Sequence, residues 1–100
     1  MPLGTAIMHY FVYLIVSKIK DRSVSYVGYT NNLTKRITNH NSSKGAKFTR
    51  GRKWKLAYSK RYKSKSVAMR EEYKLKKNIK LRNKIKIKFN KNENFNITSL

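Results

Sequence analysis

Cysteine is absent from this 100-residue chain, which excludes disulfides, thiolate catalysis and cysteine zinc sites. Histidine is scarce: only His9 and His40 can offer an imidazole. Acidic residues number 4 against 25 lysines and arginines, so each carboxylate stands out. No long apolar run occurs either. Tyr10 to Val16 spans seven residues, whereas a membrane helix needs about 20. That run has no charged segment before it and no small-residue cleavage site after it, so a cytoplasmic location is expected.

What the chain has in excess is positive charge. A formal net charge of +21 repels itself unless a polyanion compensates it, and nucleic acid is the default partner. An anionic membrane is the main competitor, but the basic residues are scattered along the chain instead of lining one helix face, so no membrane partner is expected. With 39% hydrophobic residues the chain can build one modest core. A single domain over residues 9–89 is expected, with flexible termini at 1–8 and 90–100. The oligomeric state is left open.

Tyr10 to Val16 (YFVYLIV) is aromatic and β-branched with both alternating faces apolar, which suits a strand covered on both sides. Lys18 to Ser23 reads as a polar turn around Asp21, and Val24 to Tyr29 as a second strand forming an antiparallel hairpin with the first. Thr30, Asn31 and Asn32 can cap a helix whose apolar edge is Leu33 and Ile37 and which ends near Asn41. Arg36 and His40, at i and i+4, border that edge. Asn41 to Lys53 combines small residues and two glycines with the cations Lys44, Lys47, Arg50, Arg52 and Lys53, a composition suited to a loop that approaches phosphates. Together with Lys35 and Lys76 these are the candidate nucleic-acid contacts. Trp54 to Tyr62 reads as a third strand anchored by Leu56 and Tyr58, and Ser64 or Ser66 caps a following helix. Ile85, Ile87 and Phe89 fit a short strand as well as a docked helix. Asn90 to Leu100, asparagine-rich and aperiodic, reads as a frayed tail.

The helix after Ser64 carries the most informative residue. Ala68, Glu72, Leu75 and Ile79 share one face at the helical period, so Glu72 interrupts an apolar row. A buried carboxylate needs a cation, a metal or several donors around it. Pairing with a lysine or arginine is the plain explanation; a metal ion facing phosphates is the functional one. Glu71 falls off the stripe and reads as a surface charge.

The ordered set of these residues resembles the GIY-YIG nuclease family, in particular small stand-alone members similar to the nuclease domain of bacterial excision-repair proteins. Phe11-Val12-Tyr13 stands where the family has its first motif and Tyr26-Val27-Gly28 where it has its second. Gly28, Arg36 and His40 follow the family spacing G-x7-R-x3-H, and Ala68 to Lys76 looks like its later acidic helix. Phe11 replaces the first motif's glycine. The resemblance implies an α+β fold, a small three-stranded antiparallel sheet flanked by helices. It also implies an endonuclease that hydrolyses DNA phosphodiester bonds, in DNA repair or recombination, with one Mg²⁺ or Mn²⁺ as cofactor. Carried onto this chain, Glu72 holds the metal, Arg36 grips the scissile phosphate, Tyr13 activates the water as a phenolate favoured by the basic field, and Tyr26 and His40 orient the water or relay its proton. The resemblance leaves the natural target open: branched, flap and single-stranded DNA are candidates, and RNA is a further one.

Two rival functions suit the same charge and size: a non-catalytic basic nucleic-acid-binding module, and an RNA-associated structural protein. All three require phosphate contacts. Affinity for duplex DNA is therefore expected to fall linearly in log–log form with salt, with a slope near −0.9 per phosphate neutralised. A fluorescence titration across low to moderate salt checks this; affinity that barely moves removes the polyanion partner.

Overall fold

The computed structural model describes residues 8–98, with side chains through residue 92. The expected flexible segment 1–8 lies outside these residues apart from Met8. Three strands and three helices follow in the order β1 (Tyr10–Ile19), β2 (Arg22–Thr30), α1 (Leu33–Asn41), β3 (Lys55–Tyr62), α2 (Lys65–Lys77) and α3 (Ile79–Thr98). The sheet is antiparallel with β1 central, in the order β2-β1-β3. This is the expected α+β fold.

The apolar run on both faces of β1 explains the layering. Val12, Leu14 and Val16 pack with Val27 against Ala68 and Leu75 of α2, while Tyr13 and Ile15 pack with Trp54, Leu33 and Ile37 on the α1 side. Alternation along a strand sends successive side chains to opposite faces, so one strand serves two cores.

The β1–β2 hairpin is longer than expected. Residues placed in a polar turn from Lys18 to Ser23 instead continue the ladder as far as the Ile19–Arg22 pair, and only Lys20 and Asp21 turn. Lys20 adopts a left-handed φ of 57°, which lets two residues close the turn without splaying the strands. On the other side, the β1–β3 register slips between Leu14 and Ile15, which pair with Tyr58 and Leu56 and leave Ala57 as the extra residue. Ala57, Tyr58 and Tyr62 pack toward the core, whereas Leu56, expected as an anchor, is exposed.

Asn32 caps α1 by accepting from the Lys35 amide at 3.1 Å, and Ser64 caps α2 by accepting from the Val67 amide at 3.4 Å. The helical row through Glu72 ends sooner than expected. The backbone breaks at Asn78, so Ile79 begins α3 and is exposed. From there the chain is a docked helix, and it does not stop at Asn90 but runs to Thr98. Asparagine is a weak helix former, but packing overrides it: Ile85 and Phe89 sit against the core, while Lys86 Nζ and Asn90 Nδ2 donate to the Ser23 carbonyl and hydroxyl. Among the described residues no helix is long and apolar enough to cross a membrane.

If α3 is held by this seam, Phe89→Ala lowers unfolding free energy by about 2 kcal/mol or more. Ile87→Ala, at a site 64% exposed, changes it by less than about 0.5 kcal/mol. Urea denaturation of both variants measures the contrast.

Candidate active site

The α1 face of the sheet holds a buried polar chain. Tyr13 and His40 are both fully buried, and Tyr13 Oη lies 2.7 Å from His40 Nε2. On its far side His40 Nδ1 lies 2.8 Å from Thr49 Oγ1, and that hydroxyl donates to the Ala46 carbonyl at 2.8 Å. A hydroxyl has one proton to give, so Thr49 accepts from His40 and the imidazole proton is assigned to Nδ1. Nε2 then keeps its lone pair and accepts from the Tyr13 phenol. At the outer end Arg36 Nε donates to Tyr13 Oη at 3.3 Å. The donors therefore all point one way, from Arg36 through Tyr13 and His40 to Thr49.

Each link is positioned by local structure. The helical repeat of α1 puts Arg36 and His40 on one side, four residues apart. Thr49 sits in a single 3₁₀ turn, Lys47–Thr49, so the basic segment expected as an open loop folds back onto His40. Trp54 locks it there: its Nε1 donates to the Thr49 carbonyl at 2.9 Å, and its amide donates to Asn41 Oδ1 at 2.6 Å. Two glycines provide the room. A Cβ on Gly28 would overlap the Tyr13 hydroxyl, and one on Gly45 would overlap the His40 ring. Gly28 lies opposite Tyr13 across the β1–β2 ladder.

Burial sets the protonation states. Desolvation lowers the His40 pKa, with the Arg36 charge acting the same way, so the ring is neutral near pH 7. Tyr13 is pushed above the usual phenol value, chiefly by burial and only partly offset by Arg36. Burial thus opposes the expected phenolate: among the protein's own groups Arg36 does not outweigh the loss of water around the ring. Arg36 is held more firmly charged, first by its bond to Tyr13.

The remaining expected residues lie around this chain. Tyr26 is half-buried and meets His40 edge-on, with ring centroids 5.2 Å apart. Glu72 comes from α2, on the other side of the sheet. Its side chain is 19% exposed, it pairs with Lys76 at 3.7 Å, and its charge reaches Tyr13 through space. Glu71 is less of a surface group than expected. It is 32% exposed, pairs with Lys74 at 3.2 Å and lines a cleft with Tyr58 and Tyr62. Lys35, Lys44, Lys47, Arg50, Lys53 and Lys76 are exposed, and Arg52 is half-buried. Sequence reasoning missed Thr49 and Gly45, and also Lys65, which with Arg36, Tyr10, Tyr29, Thr30 and Asn31 lines a cleft of about 330 Å³. The only sequence signal for the first two was the small-residue composition of the loop.

Among the described residues no group of three or more histidines and carboxylates could cage a metal. The donor set fits a different arrangement. A hard divalent cation that keeps most of its water accepts one carboxylate plus phosphate oxygens, and Glu72 offers one carboxylate restrained only by a loose lysine contact.

The model of the GIY-YIG catalytic domain matches residues 9–93. A UPF0213 protein of Oceanobacillus iheyensis is 46% identical over 65 residues, covering 64% of this chain and 74% of its own length. One of Streptococcus agalactiae is 40% identical over 82 residues, covering 81% and 92%. The solution NMR structure of a UPF0213 protein from Bacillus halodurans shares 43% identity, covers 69% of this chain and 71% of its own, and superposes with a TM-score of 0.39.

The neutral, buried His40 makes stability fall in mild acid. Its folded pKa lies below the unfolded value near 6.5, so its contribution is intact above that value and is lost as pH falls through 6.5 toward the folded pKa. Carboxylates titrate near 4, below this window. Urea midpoints between pH 7.5 and about 5.5 should fall for the wild type and flatten for His40→Gln; parallel curves exclude His40 as the cause.

Proposed function

Because the chain belongs to the GIY-YIG catalytic-domain family, we propose that it is a metal-dependent endonuclease hydrolysing DNA phosphodiester bonds. The observation that carries this proposal is the one-way hydrogen-bond relay that starts at Arg36, a residue lining a cleft together with Lys65. A relay with a neutral imidazole as the acceptor at its centre and a cation at its outer end suits proton removal next to a phosphate.

In the proposed reaction the scissile phosphate enters between Arg36 and Lys65. The Arg36–Tyr13 contact of 3.3 Å is the longest link of the relay, and Arg36 exchanges it for a forked hold on the phosphate oxygens. This uncovers Tyr13 Oη to one water. As the water oxygen bonds to phosphorus, its proton passes to Tyr13 Oη while the phenolic proton passes to His40 Nε2. The bond to the leaving oxygen breaks, and that oxygen takes a proton from solvent. A free phenolate is never formed in the buried pocket, which is why a raised Tyr13 pKa is compatible with the chemistry. Thr49 steadies the imidazolium by accepting from Nδ1, and Tyr26 holds the ring from its edge. One Mg²⁺ or Mn²⁺ held by Glu72 and substrate oxygens supplies charge stabilisation at the leaving oxygen when bound.

The competing view is that Glu72 serves only its pair with Lys76. A Glu–Lys pair at i, i+4 stabilises a helix by about 0.2–0.5 kcal/mol. That is a weak contact for a side chain 19% exposed, and it leaves Glu72 available for a stronger cation.

Glu72→Ala is expected to abolish cleavage while DNA binding holds or tightens, and Glu71→Ala to change little. Tyr13→Phe keeps the ring and removes the hydroxyl, so it should bind DNA normally while cleavage slows by about 10²-fold or more. The assay uses branched, flap and single-stranded DNA with Mg²⁺ or Mn²⁺, and EDTA as control. A Glu72→Ala protein as active as wild type ends the metal-anchor assignment; full activity in Tyr13→Phe removes Tyr13 from the chemistry.

A further inference from the structure

Phe48 is the middle residue of the 3₁₀ turn that carries Thr49, and it is 53% exposed. An isolated surface phenylalanine needs no explanation, but the setting of this one is unusual. The turn is fixed on both sides of the backbone, by Thr49 against His40 and by Trp54 against the Thr49 carbonyl. Phe48 is thus presented on a rigid support instead of a mobile loop tip. Its ring stacks on Tyr26 with centroids 6.2 Å apart and planes 19° from parallel, and it leans on Trp54 at 6.2 Å. The Arg52 guanidinium stands over it, 5.7 Å from the ring centre. Lys47, Arg50 and Lys53, close to it in sequence, are exposed cations.

We propose that Phe48, with Arg52 and Tyr26, forms a stacking platform for one unpaired nucleobase of single-stranded DNA. Three observations converge on that occupant. The 53% exposed Phe48 ring offers a base an aromatic surface with an arginine beside it, and base–aromatic stacking tolerates any sequence because every base has a π-face. The cations of this segment match the sugar–phosphate strand that carries the base. The platform is also continuous with the relay, since Tyr26 touches Phe48 on one side and His40 on the other. A strand whose phosphate sits at Arg36 can therefore run past Tyr26 and set a neighbouring base on Phe48. In a duplex that base is already stacked and paired, so the platform selects strands with at least one unpaired nucleotide at the cut. The inference deepens the nuclease proposal and rests on it for the phosphate at the relay.

Binding is measured without metal, so that no cleavage intervenes. Fluorescence anisotropy compares wild type and Phe48→Leu on one labelled oligonucleotide, as a single strand and as a duplex. Leucine keeps apolar contact with Tyr26 and Trp54 and loses the flat face. Single-strand affinity should fall about five- to a hundred-fold, duplex affinity should hold, and Phe48→Trp should retain single-strand binding. Replacing the bases by abasic sites should weaken the wild type but add little further loss to Phe48→Leu, the non-additivity expected of groups in contact. Equal losses on both DNAs, no loss on either, or fully additive abasic effects overturn the platform. The outcomes separate it from the nuclease proposal: DNA cleavage without a Phe48-dependent preference ends the platform alone, whereas that preference without any cleavage ends the nuclease proposal alone.

Discussion

The hydrogen bond between Tyr13 and His40, 2.7 Å long and sealed from water, is the constraint from which the arrangement of one whole sheet face follows. A phenol and an imidazole taken out of solvent must satisfy each other and every remaining polar atom, because an unpaired buried donor costs about 1–3 kcal/mol. Nδ1 therefore needs an acceptor, and the segment after α1 must return to bring Thr49 there. The Thr49 hydroxyl in turn needs a place for its own proton, which the Ala46 carbonyl supplies. Gly28 and Gly45 are small because the two rings occupy the space their side chains would take. A strand pair, a helix repeat and a folded loop thus answer to one buried contact.

That dependence explains which parts of the structure were legible in the sequence. Where secondary structure is decided locally, the residues were enough: YFVYLIV for β1, Asn32 before the Leu33–Ile37 edge for α1, and Ser64 before α2. The spacing from Gly28 to His40 also points to one site, because strand and helix geometry turn such intervals into fixed positions. Thr49 was illegible because its role depends on a nonlocal return of the chain, and threonine in a polar loop is otherwise ordinary. Leu56 misled because a bulge, set by pairing with β1, reverses which side chains of β3 face inward. The helix beyond Asn90 was missed because asparagine content argued for a tail, while the contacts that hold α3 lie more than 60 positions earlier, at Ser23.

The same buried contact separates two effects of positive charge that the sequence runs together. A net charge of +21 implies a general bias toward phenolate, yet exposed cations act through water and are screened within about 8–10 Å at physiological salt. Desolvation acts on Tyr13 at contact. It is the larger influence and its sign is opposite. Under the proposed mechanism bulk charge gathers a polyanion, while the protonation of the site is decided by which atoms touch the phenol: His40 to receive its proton and Arg36 to leave when a phosphate competes for it.

Glu72 has the converse problem. One carboxylate facing a chain of 25 basic residues lies in a field that discourages any second cation, and its contact with Lys76 at 3.7 Å is the weak remnant of many possible pairings. Under the proposed mechanism a divalent ion gains little from Glu72 alone. A bound strand changes the balance twice, because its phosphates neutralise the surrounding lysines and also offer oxygens as further ligands. Affinity for the ion and affinity for the strand are then linked, and by thermodynamic reciprocity each raises the other by the same factor. A site with a single acidic anchor would then suit a substrate that brings the rest of the negative charge, and under the proposed mechanism the centre stays incomplete until DNA is in the cleft.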